Sequence, residues 1–205
     1  MRLRARLPLL ACLLALTVAP ATTDAGDDPA AKLARSAQAL RSRPSKEAYG
    51  RLEKFARQHR GTELGARAAL RLGLADFEQQ RWARAEEQFS RAMESSLLGD
   101  YGRFYLAQTQ RHRGAFEQAL ATLMEFHLRH ADSRLAEAAQ TEQAALLVQL
   151  GHADEAKTFL TSRPDWERRP GVLFALARAQ AAAGEVEAAI ETLHRIYYEF
   201  PLSPE

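Results

Sequence analysis

The sequence predicts an all-α fold, a stack of about five helical hairpins behind a cleaved leader peptide. Three observations carry that prediction. Val and Ile together number only six in 205 residues, far fewer than a sheet protein of this size needs. Ala, Leu, Arg, Glu and Gln, the strong helix formers, dominate instead. A small-residue anchor then recurs at Ala85, Ala119, Ala156 and Ala189, with spacings of 34, 37 and 33 residues.

The chain opens on residues 1–21, which read as a secretory signal. Arg2, Arg4 and Arg6 form a positive start, residues 7–18 an uncharged apolar core, and Ala19-Pro20-Ala21 a small-x-small cleavage site. Twelve apolar residues are too few to span a bilayer, which needs about 20. No stable membrane span is therefore expected after cleavage, and the mature chain is expected in the periplasm. The formal charge of +2 belongs to the precursor: removing three arginines from 28 basic residues leaves 25 against 26 acidic ones. That balance excludes a strongly basic nucleic-acid binder. The only cysteine, Cys12, leaves with the leader, so no disulfide is expected. Leu9-Leu10-Ala11-Cys12 faintly resembles a lipoprotein cleavage box, but the apolar segment continues six residues past the cysteine. Residues 22–29 form a polar linker.

A first hairpin follows at 30–42 and 45–59, capped by Ser45 after Pro44, with Ala48, Leu52 and Phe55 repeating the second-helix pattern. The next pairs fall at 63–79 with 82–94, 100–112 with 116–130, 133–149 with 153–162, and 170–183 with 186–199. As units these lie near 30–60, 66–99, 100–133, 137–169 and 170–201. Within them the spacing is regular. Four residues after each anchor stands a large apolar residue: Phe89, Leu123, Leu160, Leu193. Five before three of the anchors stands Gly114, Gly151 or Gly184, suited to a left-handed helix cap; Gln80 takes that place in the first of the four units. Thirteen before come Leu72, Leu106, Gln143 and Leu176, each followed by Gly or Ala. Small residues let two backbones approach, and the large ones fill the space between neighbouring pairs. Pro164 and Pro170 make the stretch between the last two units a loop, with Trp166 expected to plug a gap there.

These features resemble the tetratricopeptide repeat, most fully in Leu72-Gly73, Ala85, Phe89 and Ala92, and in Leu176-Ala177, Gly184, Ala189, Leu193 and Pro201. The family's first-helix Trp and Tyr are missing. The resemblance implies a tetratricopeptide-like helical-hairpin solenoid, with an inner face lined by the first helix of each pair. In that register Arg67, Leu70, Leu74 and Phe77 face inward from one unit. Tyr101, Phe104, Gln108 and Arg111 do so from the next, and Phe174 and Arg178 from the last. Aromatics interleaved with arginines suit an extended peptide or a glycan, although about half of such positions are expected to pack against neighbouring helices.

No catalytic constellation is present, and no cofactor is expected. His127 and His130 lie three apart without a third ligand, and are expected to be solvated at a helix C-terminus rather than to hold metal. Glu86-Glu87 and Asp27-Asp28 do not converge as an acid and base would. Ser203-Pro204-Glu205 reads as the start of a further helix. The last unit would then expose Ile196, Tyr197 and Phe200, so the array is expected to continue beyond 205 or to be covered by a partner.

Residues 196–205 (Ile-Tyr-Tyr-Glu-Phe-Pro-Leu-Ser-Pro-Glu) also resemble an inter-repeat joint in the N-terminal α-superhelix of soluble lytic murein transglycosylases. That resemblance implies a non-catalytic scaffold that guides a peptidoglycan glycan strand. The family's catalytic Glu-Ser motif has no counterpart, since Glu94-Ser95 lies inside a repeat. The alternative is a stand-alone periplasmic tetratricopeptide adaptor that binds proteins or peptides during envelope assembly.

Overall fold

The computed structural model describes residues 28–162 and 164–203. The leader at 1–21, Cys12, most of the 22–29 linker and the Pro204-Glu205 pair lie outside these residues. Ten α-helices occur among the described residues: α1 (Pro29–Ser42), α2 (Lys46–Gln58), α3 (Glu63–Glu78), α4 (Trp82–Ala92), α5 (Gly99–His112), α6 (Phe116–Arg129), α7 (Ala136–Gln149), α8 (Ala153–Thr161), α9 (Pro170–Ala182) and α10 (Val186–Glu199). They form five antiparallel hairpins. Each helix packs on the next, and the first helices of neighbouring pairs also touch, α1 on α3, α3 on α5 and α7 on α9. The fold is the expected all-α, tetratricopeptide-like solenoid.

Local chemistry starts and stops the helices. Asp28, Ser45 and Thr62 accept hydrogen bonds from first-turn backbone N–H groups of α1, α2 and α3, at 3.1 to 3.3 Å. Ser95 and Ser133 work across repeats. The Ser95 hydroxyl accepts from the Leu97 and Leu98 N–H groups and donates to Glu63 at 2.6 Å; Ser133 accepts from the Leu135 N–H and donates to Asp100 at 2.6 Å. Each loop is thus tied to the first turn of the preceding unit. The second of these turns also moves a boundary. The helix expected at 133–149 begins at Ala136, because Ser133 turns the chain before it.

The turns inside four hairpins share one geometry. Gly114, Gly151 and Gly184 are left-handed, with φ of 78°, 85° and 83°, and Gln80 adopts φ 57° at the same place. In each, the N–H one residue later returns to a carbonyl five residues back: Arg81 to Asp76, Ala115 to Gln110, His152 to Leu147, Glu185 to Gln180. This is the Schellman closure.

The core runs through the stack as linked clusters. The anchors Ala85, Ala119, Ala156 and Ala189 are buried, as are Phe89, Leu123 and Leu160. A Cβ at Gly73 would lie 2.7 Å from the Phe89 ring, and one at Gly102 2.7 Å from the Met93 backbone nitrogen, so both glycines mark close approaches. Ile196, expected at the surface, is buried instead, because its side of α10 packs onto α9. Tyr197 is exposed, and Phe200 is half-buried. Trp166, in a 3-10 turn at Trp166–Arg168, packs half-buried against the cluster of Leu147, Leu160 and Val172. The Arg195 guanidinium of α10 donates to the Glu167 carbonyl at 3.0 Å and clasps this insertion to the last hairpin.

Candidate functional site

The best-formed candidate lies on the row of first helices, where α7 and α9 run side by side. It is a groove of about 240 Å³, walled by Thr141, Glu142 and Ala145 from α7 and by Phe174, Ala175 and Arg178 from α9. The positions follow from helix periodicity. Thr141, Ala145 and Val148 recur at spacings of four and three on α7; Gly171, Phe174, Ala175 and Arg178 do the same on α9. The opposite sides of both helices, including Leu147, Val172 and Leu176, are committed to the core.

The floor is small and apolar, while the rim carries charge. Phe174 and Arg178 are both exposed. The Glu142 carboxylate is mostly shielded and holds the Arg111 guanidinium of α5 at 2.5 Å. An exposed ring beside a cation and an alanine floor can hold an apolar side chain, with the guanidinium left to receive a carboxylate or a backbone carbonyl. With Glu142 engaged by Arg111, the groove offers recognition chemistry and no acid–base pair.

Of the residues expected to face inward, Arg111, Phe174 and Arg178 converge here. The others do not join them. Arg67 is exposed on α3. Phe77 meets Trp82, Tyr105 and His112 edge-on at 5.1 to 5.9 Å, within an aromatic cluster between α3, α4 and α5. Leu70 is buried, and Leu74 and Tyr101 are half-buried, against Ala85 and Phe89. Gln108 is half-buried. Phe104 is buried with Leu123 and Phe126, where α7 covers it. Apart from Arg67 and Gln108, these side chains are taken up by packing against the second helix of their own or the preceding pair, so they fill gaps between helices. Thr141, Glu142 and Ala145 had no counterpart among the expected residues, since the α7 unit offers no aromatic or arginine in that register. The signal that could have found them was the same spacing carried through small and polar residues.

Two further groups of titratable residues are structural. Asp76 is fully buried; it accepts from the Tyr49 hydroxyl at 2.7 Å and from Arg81 at 2.7 and 2.6 Å. Arg81 and Arg84 also sit over the Tyr49 ring, at 5.3 and 4.8 Å. Burial, and then the Asp76 carboxylate, hold the Tyr49 phenol well above its ordinary pKa. The network locks the first two hairpins together at the turn where Gln80 replaces glycine. His127 and His130, expected to be solvated, are half-buried instead, against Phe126 and, for His127, Phe159. Burial lowers the His130 pKa. No group of three or more candidate metal ligands occurs among the described residues. No described helix is long and apolar enough to cross a membrane.

Residues 172–203, essentially the last hairpin, match the tetratricopeptide repeat family. No curated protein matches the sequence. Solved structures do. The nearly identical TPR-like repeats of a Podosopora anserina protein share 17% identity at a TM-score of 0.64, over 83% of this chain and 95% of theirs. A MamA double mutant from RS-1 shares 14% at 0.68, over 87% and 98%. A thermophilic TPR protein of Thermus thermophilus shares 16% at 0.56, over 85% and 93%. At such identity the likeness concerns the fold: the described residues form a tetratricopeptide-type helical-repeat solenoid.

Proposed function

We propose that this protein is a non-catalytic docking scaffold of the cell envelope whose α7–α9 groove holds an extended segment of a partner protein. The observation that carries the proposal is the exposed pair Phe174 and Arg178 over the small-residue floor of Ala145 and Ala175. The ring is a stiff apolar anchor and the guanidinium a planar donor, and both residue types favour interface anchors. The leader at 1–21 supports a periplasmic setting.

Selection of peptides from a displayed random library on the purified protein tests this. The expected winners carry an apolar side chain next to a carboxylate, and bind at least about tenfold more weakly to Phe174→Ala or Arg178→Glu. Failure to select any peptide, or affinities unchanged by both substitutions, would overturn the reading.

A second reading rests on the 196–205 segment: the superhelix of a peptidoglycan lytic transglycosylase, shaping access to the glycan strand. It requires that isolated glycan strands bind and that no muropeptide is released by residues 22–205. Released product above a buffer blank, or no retention of glycan, excludes it.

A further inference from the structure

The α5–α6 hairpin recurs in α9–α10 at an offset of 70 residues, from Gly114 to Gly184. Both glycines are left-handed. Thr122 donates to Gln110 at 2.8 Å, and Thr192 donates to Gln180 at 2.9 Å. The turn after each second helix also closes alike: the Ser133 N–H bonds the His130 carbonyl and the Ser203 N–H the Phe200 carbonyl, both at 3.0 Å. The two hairpins are thus one design, met twice in the same chain.

They differ in what lies on top. In the first, α7 places Ala136, Ala139 and Leu146 against Phe104, Leu123 and Phe126. In the second, no helix among the described residues covers the equivalent surface. Phe104 is 7% exposed and its counterpart Phe174 37%; Leu123 is 0% exposed and Leu193 42%. Phe116 and Leu120 are partly buried, whereas Val186 and Ile190 are 53% and 49% exposed. Tyr197, the counterpart of His127, is 73% exposed. Val186, Ile190, Leu193 and Tyr197 follow spacings of four, three and four, a single apolar stripe along α10. Glu187 and Glu191 border the stripe, and neither has an ion-pair partner among the described residues. At the matching places α6 carries Glu117 and Ala121, so the border on α10 is the more acidic.

We propose that this face docks an amphipathic helix of a partner polypeptide, built like α7 on its apolar side and basic along its flank. The internal copy states the apolar code: two small residues three apart, then a leucine seven further on. The acidic border states the charge. The site lies beyond the groove and shares only Phe174 with it, at their common corner.

The test uses two synthetic probes on the purified protein. One is the peptide of residues 133–149; the other is the same peptide with Glu137→Arg and Glu142→Arg. Glu142 is free to change, because its partner Arg111 corresponds to Ala181 on α9. Titration by fluorescence anisotropy should show saturable binding of both. The arginine probe should bind several-fold more tightly at about 0.02 M salt and lose that advantage near about 0.5 M. The double variant Ile190→Gln, Tyr197→Gln should weaken both by at least about tenfold. Its two sites are exposed, and circular dichroism verifies that it folds. Arg178→Glu, in the groove, should leave probe binding within about twofold. No saturation up to about 1 mM, or binding unaltered by the double variant, would overturn the proposal. So would sedimentation showing self-association that the double variant abolishes, since a second copy would then occupy the face.

Discussion

Asp76 is the residue on which most polar chemistry in the fold converges. It is fully buried, and two partners, Tyr49 and Arg81, keep it satisfied. Removing one hydrogen-bond donor from a buried carboxylate costs about 1–3 kcal/mol. Tyr49→Phe should therefore lower the urea midpoint without altering the far-ultraviolet spectrum. The tyrosine also makes stability depend on pH. Its folded pKa is raised above the unfolded value near about 10, so the unfolded chain loses the proton first. The contribution is complete below pH about 10 and is lost as pH rises beyond it. Urea titrations of the wild type should show that alkaline loss, and Tyr49→Phe should flatten it. His130 acts at the other end of the scale. Its folded pKa is lowered by burial, so its contribution holds above about pH 6.5 and falls away as the solution is acidified. His130→Gln should make midpoints at pH 5 and pH 7.5 more alike; an unchanged difference would contradict this.

At the scale of single elements, the turns and close approaches make the sharpest predictions. Gln80 holds a left-handed conformation that its three counterparts assign to glycine. Gln80→Gly should stabilise the protein by about 0.5–1 kcal/mol; a lowered melting temperature would be the contrary result. Gly102→Ala should destabilise by about 1–3 kcal/mol, since its methyl would meet α4 backbone rather than a side chain that can turn away. Elements were also where the sequence was most legible. Glycine, serine and proline punctuate the chain, and each helix from α1 to α10 lies within a few residues of its expected span. The exception is the start of α7, where the Ser133 hydroxyl accepts from the Leu135 N–H in a turn that precedes the helix. The site was read less well. Phe77, Tyr101 and Phe104 stand at the right period to face inward, yet packing with a neighbouring hairpin absorbs them. Period alone states which side of a helix a residue is on, not whether another helix covers that side. Ile196 shows the converse, since it joins the interior from a helix whose other large apolar residues are exposed.

Across the whole molecule, stability is carried from neighbour to neighbour, as each hairpin contacts only those beside it in the stack. The insertion around Trp166 is the joint between the α7–α8 pair and the last. Trp166 packs on both sides of it, and the Arg195–Glu167 hydrogen bond spans it. Trp166→Ala should loosen this joint, so that α9–α10 melts in a separate, earlier transition while the rest of the array keeps its midpoint. A single transition shifted as a whole would contradict nearest-neighbour behaviour at this place. The same modular construction explains the two recognition surfaces. Side-by-side first helices leave the α7–α9 groove, and the α10 face is the kind of surface that α7 covers on α6.

The proposal that the groove holds an extended peptide is tested most directly by mapping amide chemical shifts of the protein as a library-selected peptide is added. Perturbations centred on Ala145, Phe174 and Arg178 are expected, absent in Phe174→Ala. Perturbations confined to α10 around Ile190 and Tyr197, or persisting in full in the Phe174→Ala protein, would contradict it.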